Sequence, residues 1–99
     1  MRKMAPFLPL LLAACATAPA AAPIPIHGET PGHECNDAAT DQFIGQSVSR
    51  SLGDAVLRTT HAAILRWGPP GVMLTMDFRA DRVTVWYGPD NKVAKVHCG

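Results

Sequence analysis

The sequence has no apolar stretch long enough to cross a bilayer as a mature helix, no internal repeat and no excess of basic charge. Its apolar run from Met4 to Ala14 carries prolines and falls short of the roughly 20 residues that a spanning helix needs. Setting aside Arg2 and Lys3, seven basic residues remain against eight acidic ones, which offers nucleic acid no basic face. His61 has no evident serine or cysteine nucleophile as partner, and no carboxylate pair stands at helical spacing, so hydrolytic catalysis is not expected. His27, His33, Cys35 and His97 follow no zinc spacing, two of them lie in or beside a tether-like stretch, and Cys35 has a better partner in Cys98. No metal or cofactor is expected.

What is present begins with an export signal. Met1-Arg2-Lys3 is a basic start, and the short apolar run after it reads as a lipoprotein signal peptide over residues 1–14. Leu12-Ala13-Ala14-Cys15 resembles the lipobox of bacterial lipoproteins, in which Cys15 would carry the lipid. Ordinary secretory cleavage after Ala18-Pro19-Ala20 is the alternative, and either route puts the mature chain outside the cytoplasm. A cell-envelope location follows, and Ala16 after the cysteine suggests the outer membrane by resemblance to lipoprotein sorting. Residues 15–34 are the lipidated cysteine and a tether: from Ala16 to about Gly32 the chain is Ala, Pro, Thr and Gly, with too little apolar surface to repay ordering.

Three cysteines cannot all pair within one monomer, and removing Cys15 as lipid carrier leaves Cys35 and Cys98. An oxidising compartment favours joining them. The bridge would close a loop of about 63 residues, for which chain entropy gives roughly 4 kcal/mol. That weighs heavily in a domain of about 65 residues, whose core alone is marginal.

The folded unit is expected over residues 35–99. Asn36 or Asp37 can cap a short helix through Ala38, Ala39 and Phe43, which Gly45 ends. Ser47 is expected to cap a second helix running to about Thr59, with Val48, Leu52, Ala55 and Val56 on one apolar stripe and Gly53 off it. Ala62 to Trp67 and Arg82 to Tyr87 read as strands, the second alternating with Val83, Val85 and Tyr87 on one side. After the turn Pro89-Asp90-Asn91, Lys92 to Cys98 is a third strand, with Ala94, Val96 and Cys98 on one face and Val93, Lys95 and His97 on the other. Trp67 and Trp86 read as sheet and core packing.

Between the first two strands, residues 68–81 hold Val72, Met73, Leu74, Met76 and Phe78. Connections are usually polar, so this cluster points to an interaction site, with a further core strand as the alternative. The runs Phe43-Ile44-Gly45-Gln46-Ser47-Val48 and Pro69-Pro70-Gly71, with Leu74-Thr75-Met76-Asp77-Phe78-Arg79-Ala80-Asp81-Arg82-Val83, resemble the potato inhibitor I family of eglin and the barley chymotrypsin inhibitor. Cys35, Cys98-Gly99 and Thr75-Met76-Asp77-Phe78-Arg79 are more similar still to the related elastase-inhibitor family, number seventy-eight among peptidase inhibitors.

The resemblance implies an α+β wedge: one main helix on a short twisted mixed sheet, and an extended protease-binding loop between two parallel strands. It implies a serine protease as partner, with Met76 as primary specificity residue and the scissile bond between Met76 and Asp77. Met73, Leu74 and Thr75 would occupy upstream subsites, and Asp77, Phe78 and Arg79 downstream ones. Arg82 is the candidate support, since its planar guanidinium can reach Thr75 and Asp77 on either side of that bond. Potato-type members often carry a second arginine where this chain has Thr84, which implies a thinner strut system here. A monomer is expected. The competing function is an envelope lipoprotein of the same fold with a structural or adaptor role and no inhibitory activity.

Overall fold

The computed structural model describes residues 26–99, so the signal segment and Cys15 lie outside the described residues. Its regular elements are a 3-10 turn at Thr40–Phe43, helix α1 at Arg50–Thr60, and strands β1 (Ile64–Gly68), β2 (Arg82–Tyr87) and β3 (Val93–Cys98). The strands form one mixed sheet in the order β1-β2-β3, with β1 parallel and β3 antiparallel to β2. This is the expected α+β arrangement of one main helix and a short mixed sheet. Among the described residues no helix is long and apolar enough to cross a membrane.

Helix α1 starts two residues later than its apolar stripe suggested. Ser49, not Ser47, is the N-cap: its extended backbone lets the side chain accept from the Leu52 amide at 3.0 Å. Ser47 instead bridges to Lys92, which holds the chain extended there and prevents it from entering a helix. Gly53, expected off the stripe, lies in the buried face. A Cβ on it would stand 3.1 Å from the Trp67 ring, so the missing side chain lets the helix close on β1. The helix expected before it shrinks to the 3-10 turn, because Asn36 Oδ1 caps only a local turn by accepting from the Ala38 amide.

The core is small: Phe43, Leu52, Val56, Ala62, Val83, Val85, Val93 and Val96, edged by Leu57, Leu65 and Trp67. Strict alternation sets Val93 and Val96 on opposite faces of β3, yet both are buried. A bulge resolves this. Trp86 pairs with Lys95 but Tyr87 pairs with Val93, so Ala94 is one residue in excess and restores Val93 to the core face. Cys35 and Cys98 are joined in a disulfide with their Cα atoms 5.8 Å apart, stapling the start of the expected folded unit to the end of β3.

The chain ahead of Cys35 is also engaged. Residues 26–34, inside the stretch read as a tether, make two turns against the domain, and the Gly28 carbonyl accepts from the Asp81 amide at 3.0 Å.

Candidate reactive loop

Residues 69–81 connect β1 to its parallel neighbour β2 without forming helix or strand, so the core-strand alternative does not occur. Pro69-Pro70-Gly71 starts the loop with a turn in which Gly71 takes a φ of 78°, a region that suits glycine. The loop then exposes its apolar side chains. Met73 is 94% and Met76 96% exposed, and Phe78 is 68% exposed, whereas Leu74 turns partly inward. Displaying methionine and phenylalanine to water is unfavourable unless another surface covers them.

The backbone beside Met76 is gripped from both sides. Upstream, Arg66 Nη1 donates to the Thr75 hydroxyl at 3.0 Å and to its carbonyl at 3.3 Å. Downstream, Arg82 Nη2 donates to the Asp77 carbonyl at 2.8 Å. Behind them Thr84 joins the two arginines: its hydroxyl accepts from Arg66 Nε at 3.1 Å and donates to the Gly99 carbonyl, which also accepts from Arg82 Nε. Strand register explains the convergence. Arg66 lies opposite Thr84 in the parallel pair, and Arg82 precedes Thr84 by two positions, so all three rise from one sheet face while Val83 and Val85 fill the other. Polar struts hold the loop off the sheet, leaving beneath it a cleft of about 360 Å³ bordered by Leu74, Thr84 and Trp86.

Further along, Arg79 turns back to the body. Its Nε and Nη2 donate to the two carboxylate oxygens of Asp81 at 3.0 and 3.1 Å, a bidentate pair. Asp81 is fully buried, and Thr30 Oγ1 donates to it at 2.7 Å. Arg79 and then Thr30 hold the Asp81 carboxyl down to about 2. The Asp77 carboxyl is also lowered, by the Thr75 side chain first and by the Arg82 charge as well. Its Oδ2 lies 3.8 Å from Arg82 and 3.6 Å from His27.

Residues 35–99 match the peptidase inhibitor I78 family. The chain belongs to that family. It is therefore a peptidase inhibitor by family, and its matched region begins at one half-cystine and ends one residue after the other. No curated protein matches it. Among solved structures the inhibitor is similar to the elastase inhibitor AFUEI in its crystal form II, at 29% identity over 60% of this chain and 81% of that one, with a TM-score of 0.48.

Of the residues singled out from sequence, Met73, Leu74, Thr75, Met76, Asp77 and Phe78 lie together on the loop of this inhibitor. Arg79 lies on the same loop, with its guanidinium paired to Asp81 rather than free in solvent. Arg82 supports the loop, but only from the Asp77 side; the Thr75 side falls to Arg66, which sequence reasoning missed. The available signal was an arginine between Leu65 and Trp67, whose alternation turns it away from the core. Thr84, read as the place of a missing strut, is the hub of the struts present.

Proposed function

We propose that the chain inhibits serine endopeptidases of the subtilisin, chymotrypsin or elastase type in a substrate-like way, with Met76–Asp77 as the reactive bond. The observation that carries this reading is an almost fully exposed Met76 whose two neighbours are held by separate guanidiniums. A loop already held in an extended shape loses little entropy on binding, so affinity rises without added area. Met76 would fill the primary pocket, Met73, Leu74 and Thr75 would line the enzyme's upstream subsites, and Asp77 and Phe78 the downstream ones. If the bond is cut, the struts keep the new amine beside the acyl-enzyme, at an effective concentration that favours religation over hydrolysis. The inhibitor would act as a monomer in the bacterial envelope, attached through a lipid on Cys15 to the outer membrane.

Titrating residual activity across a panel of serine proteases tests the function. Stoichiometric inhibition is expected, and a cut between Met76 and Asp77 after long incubation at mildly acidic pH. Absence of inhibition across the panel, or a cut at another bond, overturns the respective part. Intact mass of the mature protein decides the anchor, and a product without an acylated Cys15 removes it.

A further inference from the structure

Residues 26–34 precede the stretch that matches the family, yet they touch the loop's downstream support at three places. Gly28 is buried, and its carbonyl accepts from the Asp81 amide at 3.0 Å. Thr30 Oγ1 donates to Asp81 Oδ2 at 2.7 Å, on the same oxygen that Arg79 Nη2 reaches. Gly28 also lies under Arg79: a Cβ there would meet the Arg79 Cα at 3.2 Å, and its φ of 84° is one that other residues seldom adopt. The segment is fastened at its far end as well, where His33 Nδ1 and the His61 carbonyl are 3.1 Å apart and the Cys35 amide donates to the Ala80 carbonyl at 2.8 Å.

We propose that Gly28 and Thr30 form a positioning strap for the downstream half of the reactive loop, built from chain that lies outside the family-matched domain. The chain of contacts is direct. Gly28 and Thr30 hold Asp81 by its amide and its carboxylate, Asp81 holds the Arg79 guanidinium at two points, and Arg79 keeps the backbone from Asp77 to Ala80 against the body. Arg79 cannot leave without stranding a buried carboxylate, and Asp81 cannot turn without losing the strap. In the reading of Met76–Asp77 as the reactive bond, on which the inhibitory consequence rests, this is the flank that must stay in place if the bond opens. The strap thereby biases the loop toward religation, and removing it turns an inhibitor toward a substrate.

Thr30→Val in the full chain keeps the shape of the side chain and removes the hydroxyl. Hydrogen exchange of the Asp81 amide, which donates to Gly28, should quicken roughly tenfold, the scale of one lost hydrogen bond to a charged group, and cleavage of the loop by an inhibited protease should quicken comparably. Thr30→Ser should restore both, and Gly28→Ala should act in the same direction as Thr30→Val. Leu57→Ala, at the edge of the core beside Leu65 and Trp67, serves as the control that lowers thermal stability without selective loosening around Asp81. Unchanged exchange and cleavage in Thr30→Val overturns the strap. So does exchange that rises equally in β2 and β3, which would mark Thr30 as a general stabiliser. Because exchange needs no protease, a wild-type chain that inhibits nothing would sink the proposed function while the exchange result still decides the strap.

Discussion

The two flanks of the Met76–Asp77 bond are built differently. Upstream, from Pro69 to Met76, the side chain that bonds the loop to the body among the described residues is Arg66, which is half-exposed, reaches the loop at Thr75 alone and is braced from behind by Thr84. Downstream, from Asp77 to Asp81, the chain is held by the buried Arg82, by the Arg79–Asp81 pair, by the segment before Cys35, and by the Ala63 and Ile64 amides donating to the Asp81 carbonyl. A substrate-like loop has reason to differ in this way. With Met76–Asp77 as the proposed reactive bond, the upstream side chains would settle into an enzyme's pockets and gain from freedom to adjust, whereas the downstream half would be the leaving group, to be kept in place.

The largest expected effect comes from the bridge beneath the stiff flank. Replacing Cys35 and Cys98 by serine should lower unfolding free energy by about 2–5 kcal/mol, read by denaturant titration, as removal of a bridge does in small secreted domains. It should also loosen the downstream flank before the upstream one, because the Cys35 amide bonds to Ala80 and Gly99 follows Cys98 under Arg82. Equal loosening of both flanks would show that the bridge does not favour the downstream side.

Next come the arginines. Arg82→Ala removes a buried guanidinium that donates to both the Asp77 and the Gly99 carbonyls and should weaken inhibition by roughly 3 kcal/mol while speeding cleavage. Arg66→Ala should cost only about 1 kcal/mol, since water can replace an exposed donor. Inhibition constants for the two variants, measured against one protease, decide the order, and a larger effect for Arg66 would reverse the assignment of the stiff side.

Met76→Lys probes the upstream side. The side chain makes no supporting contact, so thermal stability should not change, but inhibition of an enzyme with an apolar primary pocket should weaken by roughly 2 kcal/mol or more. Trypsin, whose pocket carries a buried aspartate, should be inhibited better. Inhibition constants unchanged for both enzymes would remove Met76 from the primary position.

The smallest effect is nil at neutral pH and appears only in acid. Asp81 has a carboxyl held at about 2 against an ordinary value of 3.8. The unfolded chain therefore takes up its proton first as pH falls. The stability this group contributes is complete above about pH 4 and lost progressively towards pH 2. Asp37, which accepts from the Cys98 amide and meets His97, is lowered too and loses its contribution in the same direction. Denaturation midpoints across that range should fall for the wild type and stay flatter for Asp81→Asn, which starts less stable. Identical slopes would show that the Asp81 pair does not set acid stability.

Much of this arrangement could be read along the chain. The helix stripe, strand β2 and the odd apolar loop show up as periodicity or its violation, and the cysteine count singled out Cys35 and Cys98. The misses share a cause: each depends on a neighbour remote in sequence. Ser47 is a sound N-cap by type, but Lys92 claims it for a β-bridge. Val93 is out of phase until β3 is paired with β2, because a bulge is defined by its partner strand. Residues 28–30 have the composition of a tether, and only Asp81, brought against them by the fold, gives their polar groups a place to bind.

Counting and periodicity alone singled out Cys35 and Cys98, the helix stripe and strand β2, whereas the fold class, the family and the exposed methionine loop were legible through the resemblance of the motifs to known inhibitors. Which arginine holds which side of the loop was decided by tertiary structure alone. Arg66 and Thr84 are 18 positions apart, and nothing local relates them. They meet because β1 and β2 run parallel in one register, which sets Arg66 beside Thr84 and both below the loop. A guanidinium can strut a backbone only from the position where register leaves it.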